Sequence, residues 1–218
     1  MMVSASITSE MLDELRAGLA HQMSQKRYVH TCAVEEMIRR LSDLYCPDAA
    51  MELRAAALLH DLTKEESLQN QLQMCREFGI MVRSEDVLAP KTFHAKTAAA
   101  KIGRDYPSFA TETVISAVRW HTTGHAGMTL TEQLLYLADY IDESRKFPDC
   151  VRLREYFWGV KPQDMDREAR LSHLRSTLIL SYDMTIRNLL EESVPISPDT
   201  VLSRNELIAM REGTSAIT

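Results

Sequence analysis

The sequence predicts an all-α fold, a single helical bundle, and three observations carry that expectation. Glycine and proline number only 7 each in 218 residues, so turns are few and the elements between them long. Apolar residues recur at helical spacing along most of the chain. A dense alanine and leucine run, AAMELRAAALLHDL from Ala49, suits a buried central helix that neighbours approach closely. The length fits one domain spanning residues 1–218, with its core at about 10–205 and frayed ends.

Each element has its own signal. Ser9 precedes Met11, Leu12, Leu15 and Leu19, the face of a short first helix. From Lys26 to Tyr45 the apolar residues again keep helical spacing, and Pro47 stops them. Asp48 is the expected cap of the alanine-rich helix, whose end falls at HDLTK. A helix is expected over Glu65–Phe78, closed by Gly79, with irregular chain from Ile80 to Pro90. Helices follow over Thr92–Tyr106, broken by Pro107, and over Glu112–Trp120, ended by HTTGHAGM. Thr131 is the expected cap of EQLLYLADYID, with Glu132 in its first turn. Pro148 interrupts before a short helix in VRLREYFWG. A long final helix is expected from about Met165 to Glu192, leading into SVPISPDT. The tail, Arg211 to Thr218, reads as polar and frayed.

Composition excludes several function classes. Hydrophobic residues make up 45% and charged residues 26%, both ordinary for a globular protein. A net charge of -6 disfavours general nucleic-acid binding, which rests on a basic surface. Cys32, Cys46, Cys75 and Cys150 form no C-x-x-C pair, so they read as reduced thiols of a cytoplasmic protein. No signal peptide is read in the N-terminal residues, and no run approaches the roughly 20 apolar residues of a membrane span. Neither a nucleic acid nor a membrane is an expected partner.

The histidines carry the chemistry. Five of seven, His30, His60, His94, His121 and His125, fall at element ends or in loops, whereas His21 and His173 read as surface or core. His60 and Asp61 are adjacent at the end of an apolar helix, so both reach an ion lying near that end, one through nitrogen and one through oxygen. His30 on the preceding helix and Asp139 in LLYLADYID would complete a mixed N/O shell. Asp139 interrupts an apolar face, where an unpaired carboxylate is costly to bury and metal binding or a salt bridge to Arg145 removes that cost. Lys64 lies one turn after Asp61 and Arg27 one turn before His30, each placed to reach a phosphate at the ion.

The order His30, His60-Asp61, Asp139 resembles the HD superfamily of metal phosphohydrolases. More narrowly, RYVH at 27–30, HDLTK at 60–64, FH at 93–94, HTTG at 121–124, LADYID at 137–142, RKFP at 145–148 and PISPDT at 195–200 resemble the YqeK family. The resemblance covers about residues 10 to 205. It implies symmetrical hydrolysis of diadenosine tetraphosphate to two ADP, with iron in the site or manganese or another divalent ion instead. It implies His30, His60, Asp61 and Asp139 as metal ligands. Substrate contacts would fall on Arg27, Asp61, Leu62, Thr63, Lys64, His94, His121, Arg145 and the segment Pro195, Ile196, Ser197, Pro198, Asp199 and Thr200. Asp61, Lys64, His94 and His121 would act in catalysis, the two histidines serving either as phosphate contacts or as ligands of a second ion. His125 departs from the family, which often has arginine there. Other classes stay open: an HD nucleotidase or phosphodiesterase on another nucleotide, or a non-catalytic nucleotide sensor. No GYP tripeptide follows His60-Asp61, which disfavours the cyclic-di-GMP type, and a complete ligand set disfavours a pure sensor. The oligomeric state is left open, a dimer being one option.

Overall fold

In the computed structural model, which describes residues 6–211, the order of elements is α1 (Ser9–Leu19), α2 (Gln25–Tyr45), α3 (Ala50–Leu59), α4 (Leu68–Glu77), α5 (Ser84–Leu88), α6 (Phe93–Asp105), α7 (Glu112–Trp120), α8 (Leu130–Ile141), α9 (Pro148–Gly159), α10 (Arg167–Glu191) and α11 (Pro198–Arg211). No strand occurs among the described residues, and no helix is long and apolar enough to cross a membrane. The expected fraying of the tail falls, beyond Arg211, outside the described residues.

Helix α3 occupies the centre, as its alanines require. Leu53 and every residue from Ala55 to Leu59 are fully buried, and α1, α2, α7 and α8 all pack on it. Small side chains at Ala55, Ala56 and Ala57 let those neighbours come close, so a leucine there would overpack at a cost of about 1–3 kcal/mol. Glu35 of α2 ties the first three helices together. Its carboxylate accepts from Arg16 of α1 at 2.7 and 2.8 Å and from Arg54 of α3 at 3.0 and 3.1 Å. A second tie fixes the start of α2 to the turn after α3: Ser24 donates through its backbone N–H and its hydroxyl to Glu65, at 2.8 and 2.5 Å.

Several boundaries differ from the sequence expectation, each for a local reason. Helix α1 is capped by Thr8, whose hydroxyl accepts from Met11 N–H. Pro47 opens a 3₁₀ turn over Pro47–Ala49, so Asp48 lies within that turn and Ala49 precedes α3 with no side-chain cap. Ser67, not Glu65, starts α4 by accepting from Asn70 N–H, and Glu65 is spent on Ser24. The chain expected to be irregular from Ile80 to Pro90 contains the short α5. Thr129, not Thr131, caps α8, because only Thr129 stands three residues before Glu132 and completes the reciprocal capping box. Pro148 opens α9 rather than interrupting it, since a first-turn proline loses no helical hydrogen bond. Helix α10 is not the last: α11 follows, beginning on Pro198 within the motif read as an end.

Candidate active site

Four histidine rings stand in a row across the middle of the bundle. Centroids are 5.0 Å apart for His94 and His121, 5.0 Å for His121 and His60, and 5.5 Å for His60 and His30. They come from α6, the end of α7, the end of α3 and the first turns of α2. Asp61 and Asp139 lie against the row. Asp61 Oδ2 is 3.3 Å from His60 Nε2 and 3.6 Å from His30 Nε2, while Oδ1 is 3.2 Å from His94 Nε2. Asp139 Oδ1 is 3.0 Å from His30 Nε2 and 3.7 Å from His60 Nε2.

The ring orientations follow from the ends of two helices. His60 and His121 immediately follow the last residues of α3 and α7, where carbonyls three residues back lack helical partners. Each ring donates its Nδ1–H to such a carbonyl, Ala57 at 2.6 Å and Val118 at 2.7 Å. That bond leaves Nε2 with its lone pair facing the row, the arrangement of a metal-binding histidine. His30 is held through Nδ1 by Ser144 Oγ at 3.2 Å and Asp142 Oδ2 at 3.4 Å. The Nε2 atoms of His30 and His60 are buried without a hydrogen-bond partner.

The electrostatics call for a cation. Burial opposes charge on Asp61, yet His60 and His94 hold its carboxyl well below the ordinary carboxylate range. Burial is likewise outweighed at Asp139, held low by Arg145 and His30. His60, despite burial, is pushed up to about 10 by Asp61 and Asp139, so two carboxylates demand positive charge between them. At the other end burial pushes His94 down, and burial with His94 and His60 nearby pushes His121 well down. With a cation taking the place of the protons on His60 and His30, the imidazole nitrogens and ionised carboxylates form a donor set that fits a divalent ion of borderline softness. Two overlapping groups could hold one: His30, His60 and Asp139, and His60, Asp61 and His121. The second places His121 among candidate ligands, a role the sequence reading kept open for a second ion.

The cations surround this cluster. Arg27 Nη1 contacts Asp61 Oδ2. Arg145 contacts Asp139 through Nη2 and lies 3.3 Å from Asp142 Oδ2 through Nε, so the salt bridge considered for Asp139 is present. Lys64 Nζ is 3.3 Å from both ring nitrogens of His94, and burial lowers its pKa. Thr63 is buried, its hydroxyl donating to His94 O at 3.1 Å and lying 2.8 Å from Thr97 Oγ1, while Leu62 packs against the core. Pro195, Ile196, Ser197, Pro198 and Asp199 line a cavity of about 310 Å³ together with Thr92, Lys96, Arg119 and Thr123. Thr200 does not line it; its hydroxyl donates to Thr123 O at 3.0 Å. His125 lies 3.3 Å from Glu132 Oε2 and packs on Trp120, and no contact joins it to the row.

Asp142 and Ser144, which steady His30, were not singled out by sequence. The signal was present: Asp142 follows Asp139 by three residues, a spacing that can bring two side chains to one side of a helix end.

Comparison with known proteins agrees with this geometry. A family model for the HD domain matches residues 27–144. The chain is 31% identical to the symmetrical bis(5'-nucleosyl)-tetraphosphatase of Halalkalibacterium halodurans, over 85% of this chain and 91% of that protein. It is 29% identical to the Bacillus subtilis protein of the same description, over 90% and 97%. A crystal structure from Clostridium acetobutylicum, described as a predicted HD superfamily hydrolase involved in NAD metabolism, superposes with a TM-score of 0.78 at 26% identity, covering 94% of this chain and all of that one. With the ordered His30, His60-Asp61 and Asp139 converging on one centre, the chain belongs to the HD domain family of hydrolases, in the branch of the symmetrical bis(5'-nucleosyl)-tetraphosphatases.

Proposed function

We propose that the protein hydrolyses diadenosine tetraphosphate symmetrically, releasing two ADP, with one or two divalent ions, iron first, at the histidine row. The observation that carries the reading is the placement of Arg27, Lys64 and Arg145 around a His/Asp cluster fit for a metal. The three tetraphosphatase relatives at about 30% identity support the substrate. His30, His60, Asp61 and Asp139 are assigned as ligands, with His121 added by its distance from His60 and Asp61.

A divalent ion, when bound, supplies Lewis-acid polarisation of a phosphoryl oxygen and acidification of water. The chain's own groups do the rest. Asp61 orients the attacking water, whose oxygen bonds to one inner phosphorus. The central P–O bond breaks, and the bridging oxygen departs with the second ADP, which needs little protonation as a good leaving group. The water proton passes to solvent. Lys64, Arg27 and Arg145 offset the charge on the phosphoryl oxygens. His94 and His121 lie 3.0 Å apart through their Nε2 atoms and serve as hydrogen-bond partners of phosphate where they do not ligate metal. The Pro195–Asp199 wall holds one adenosine in the cavity of about 310 Å³, and Thr200 braces that wall against Thr123. Leu62 and Thr63 act by holding the turn between Asp61 and Lys64.

A second reading, another dinucleotide as substrate, is favoured by the description of the Clostridium structure. The reading takes the chain as one HD domain. It places the protein in the cytoplasm, consistent with four free cysteines. Chromatography of products from purified, metal-loaded enzyme tests the substrate. ADP as sole nucleotide product is expected. AMP with ATP, or faster turnover of NAD or a mononucleotide, would sink the assignment and leave the HD hydrolase standing.

A further inference from the structure

A symmetric substrate has two nucleosides, and the cavity at Pro195–Asp199 accounts for one. That cavity borders the His94 and His121 end of the row, through Thr92 and Thr123. At the opposite end His30 itself lines a second, larger cleft of about 890 Å³. Cations surround the cleft: Lys26, Arg27, Arg145 and Lys146. Arg27 and Arg145 are committed to Asp61 and Asp139. Lys26 and Lys146 have no carboxylate partner among the described residues, Lys146 bonding only the neutral carbonyl of Glu143 at 2.8 Å. Two charges without a carboxylate partner beside a candidate metal site, on a chain of net charge -6, suit a polyphosphate.

The same cleft presents Phe147, 69% exposed at the start of α9. Phe147 lies outside the packed core, and Pro148 after it restricts its backbone. Aromatic faces stack nucleobases without needing a particular base. The cleft volume lies within the range of small-molecule sites. We propose that this cleft is a second nucleoside diphosphate subsite: Phe147 stacks on the base of the departing half, and Lys26 and Lys146 bind its phosphates. The row of histidines then lies under the central phosphates, with one nucleoside anchored beyond each end. The inference rests on the tetraphosphate reading above, and it adds the reason the cut falls in the middle.

The test compares diadenosine tetraphosphate with adenosine 5'-tetraphosphate, which has the same phosphates and one nucleoside, on metal-loaded enzyme. Phe147→Ala is expected to raise KM for the dinucleoside about tenfold and to change little for the mononucleoside, with Phe147→Trp restoring the difference. Equilibrium dialysis with ADP gives a readout independent of turnover. Two ADP per wild-type chain and one per Phe147→Ala/Lys146→Ala chain are expected. One ADP per wild-type chain, or equal effects of Phe147→Ala on both substrates, overturns the subsite. Wild-type enzyme that makes no ADP from the dinucleoside overturns the substrate reading and the subsite together. ADP production unaffected by Phe147→Ala overturns the subsite alone.

Discussion

At the scale of single residues, the proposed roles separate candidate metal ligands from candidate phosphate contacts. His60 is fully buried, yet its ring makes one hydrogen bond, to Ala57 O, and its Nε2 has none. His60→Ala should therefore abolish metal retention and turnover while far-UV circular dichroism keeps its helical signal. A collapse of helicity with metal still bound would show the ring to be a packing element. Lys64 differs in kind, since among the described residues its ammonium contacts His94 and no carboxylate. Burying an ammonium without a carboxylate against it is unfavourable, and an incoming phosphate relieves that cost. Lys64→Ala should leave metal content unchanged and lower kcat/KM by a factor corresponding to about 1–3 kcal/mol. Kinetics equal to wild type would remove Lys64 from the site.

At the scale of elements, the HTTG loop after α7 depends on helices distant in sequence. Gly124 has φ +63, and a Cβ there would overlap the Tyr182 hydroxyl of α10. Tyr182 Oη in turn accepts from Ser203 of α11 at 2.9 Å, and Thr200 of α11 bonds Thr123 O. The two last helices thus clamp the loop that begins with His121. Gly124→Ala should cost at least about 1–2 kcal/mol from the left-handed backbone alone, and more from the overlap. Thermal unfolding reads this as a fall in Tm of about 2–8 °C or greater. An unchanged Tm would mean that the loop relaxes freely and is not clamped.

At the scale of the whole molecule, the candidate ligands arrive from α2, the α3 end, the α7 end and α8, so an ion would join elements from across the bundle. Because the helices bury their own core, chelation should remove activity without unfolding the protein. Returning the ion at a hundredfold excess over its Kd should stabilise the fold by about 2.7 kcal/mol. That corresponds to a rise in Tm of about 5–10 °C for a chain of this size. Loss of helicity on chelation would instead class the metal as a folding requirement. A Tm that ignores the ion would deny the cluster its ligand role.

The sequence by itself determined the helical class, the central alanine-rich helix and the membership of His30, His60, Asp61 and Asp139 in one pattern. Those features are written in local periodicity and in ordered motifs, which a chain carries wherever it folds. Helix ends were less legible, because several candidate caps stand within three residues of one another. Reciprocal bonding decides among them, as with Thr129 over Thr131. Helix α11 was missed because Pro198 reads as a stop and serves equally as a first-turn residue. The tertiary structure alone decided that Thr200 bonds to Thr123, that His125 turns to Glu132, that Asp142 lies against His30, and that Phe147 lies exposed beside two lysines with no carboxylate partner among the described residues. Each of these is a contact or a vacancy between residues distant or differently oriented in the chain. Whether a side chain meets a partner, an ion or open solvent is settled only when the helices pack.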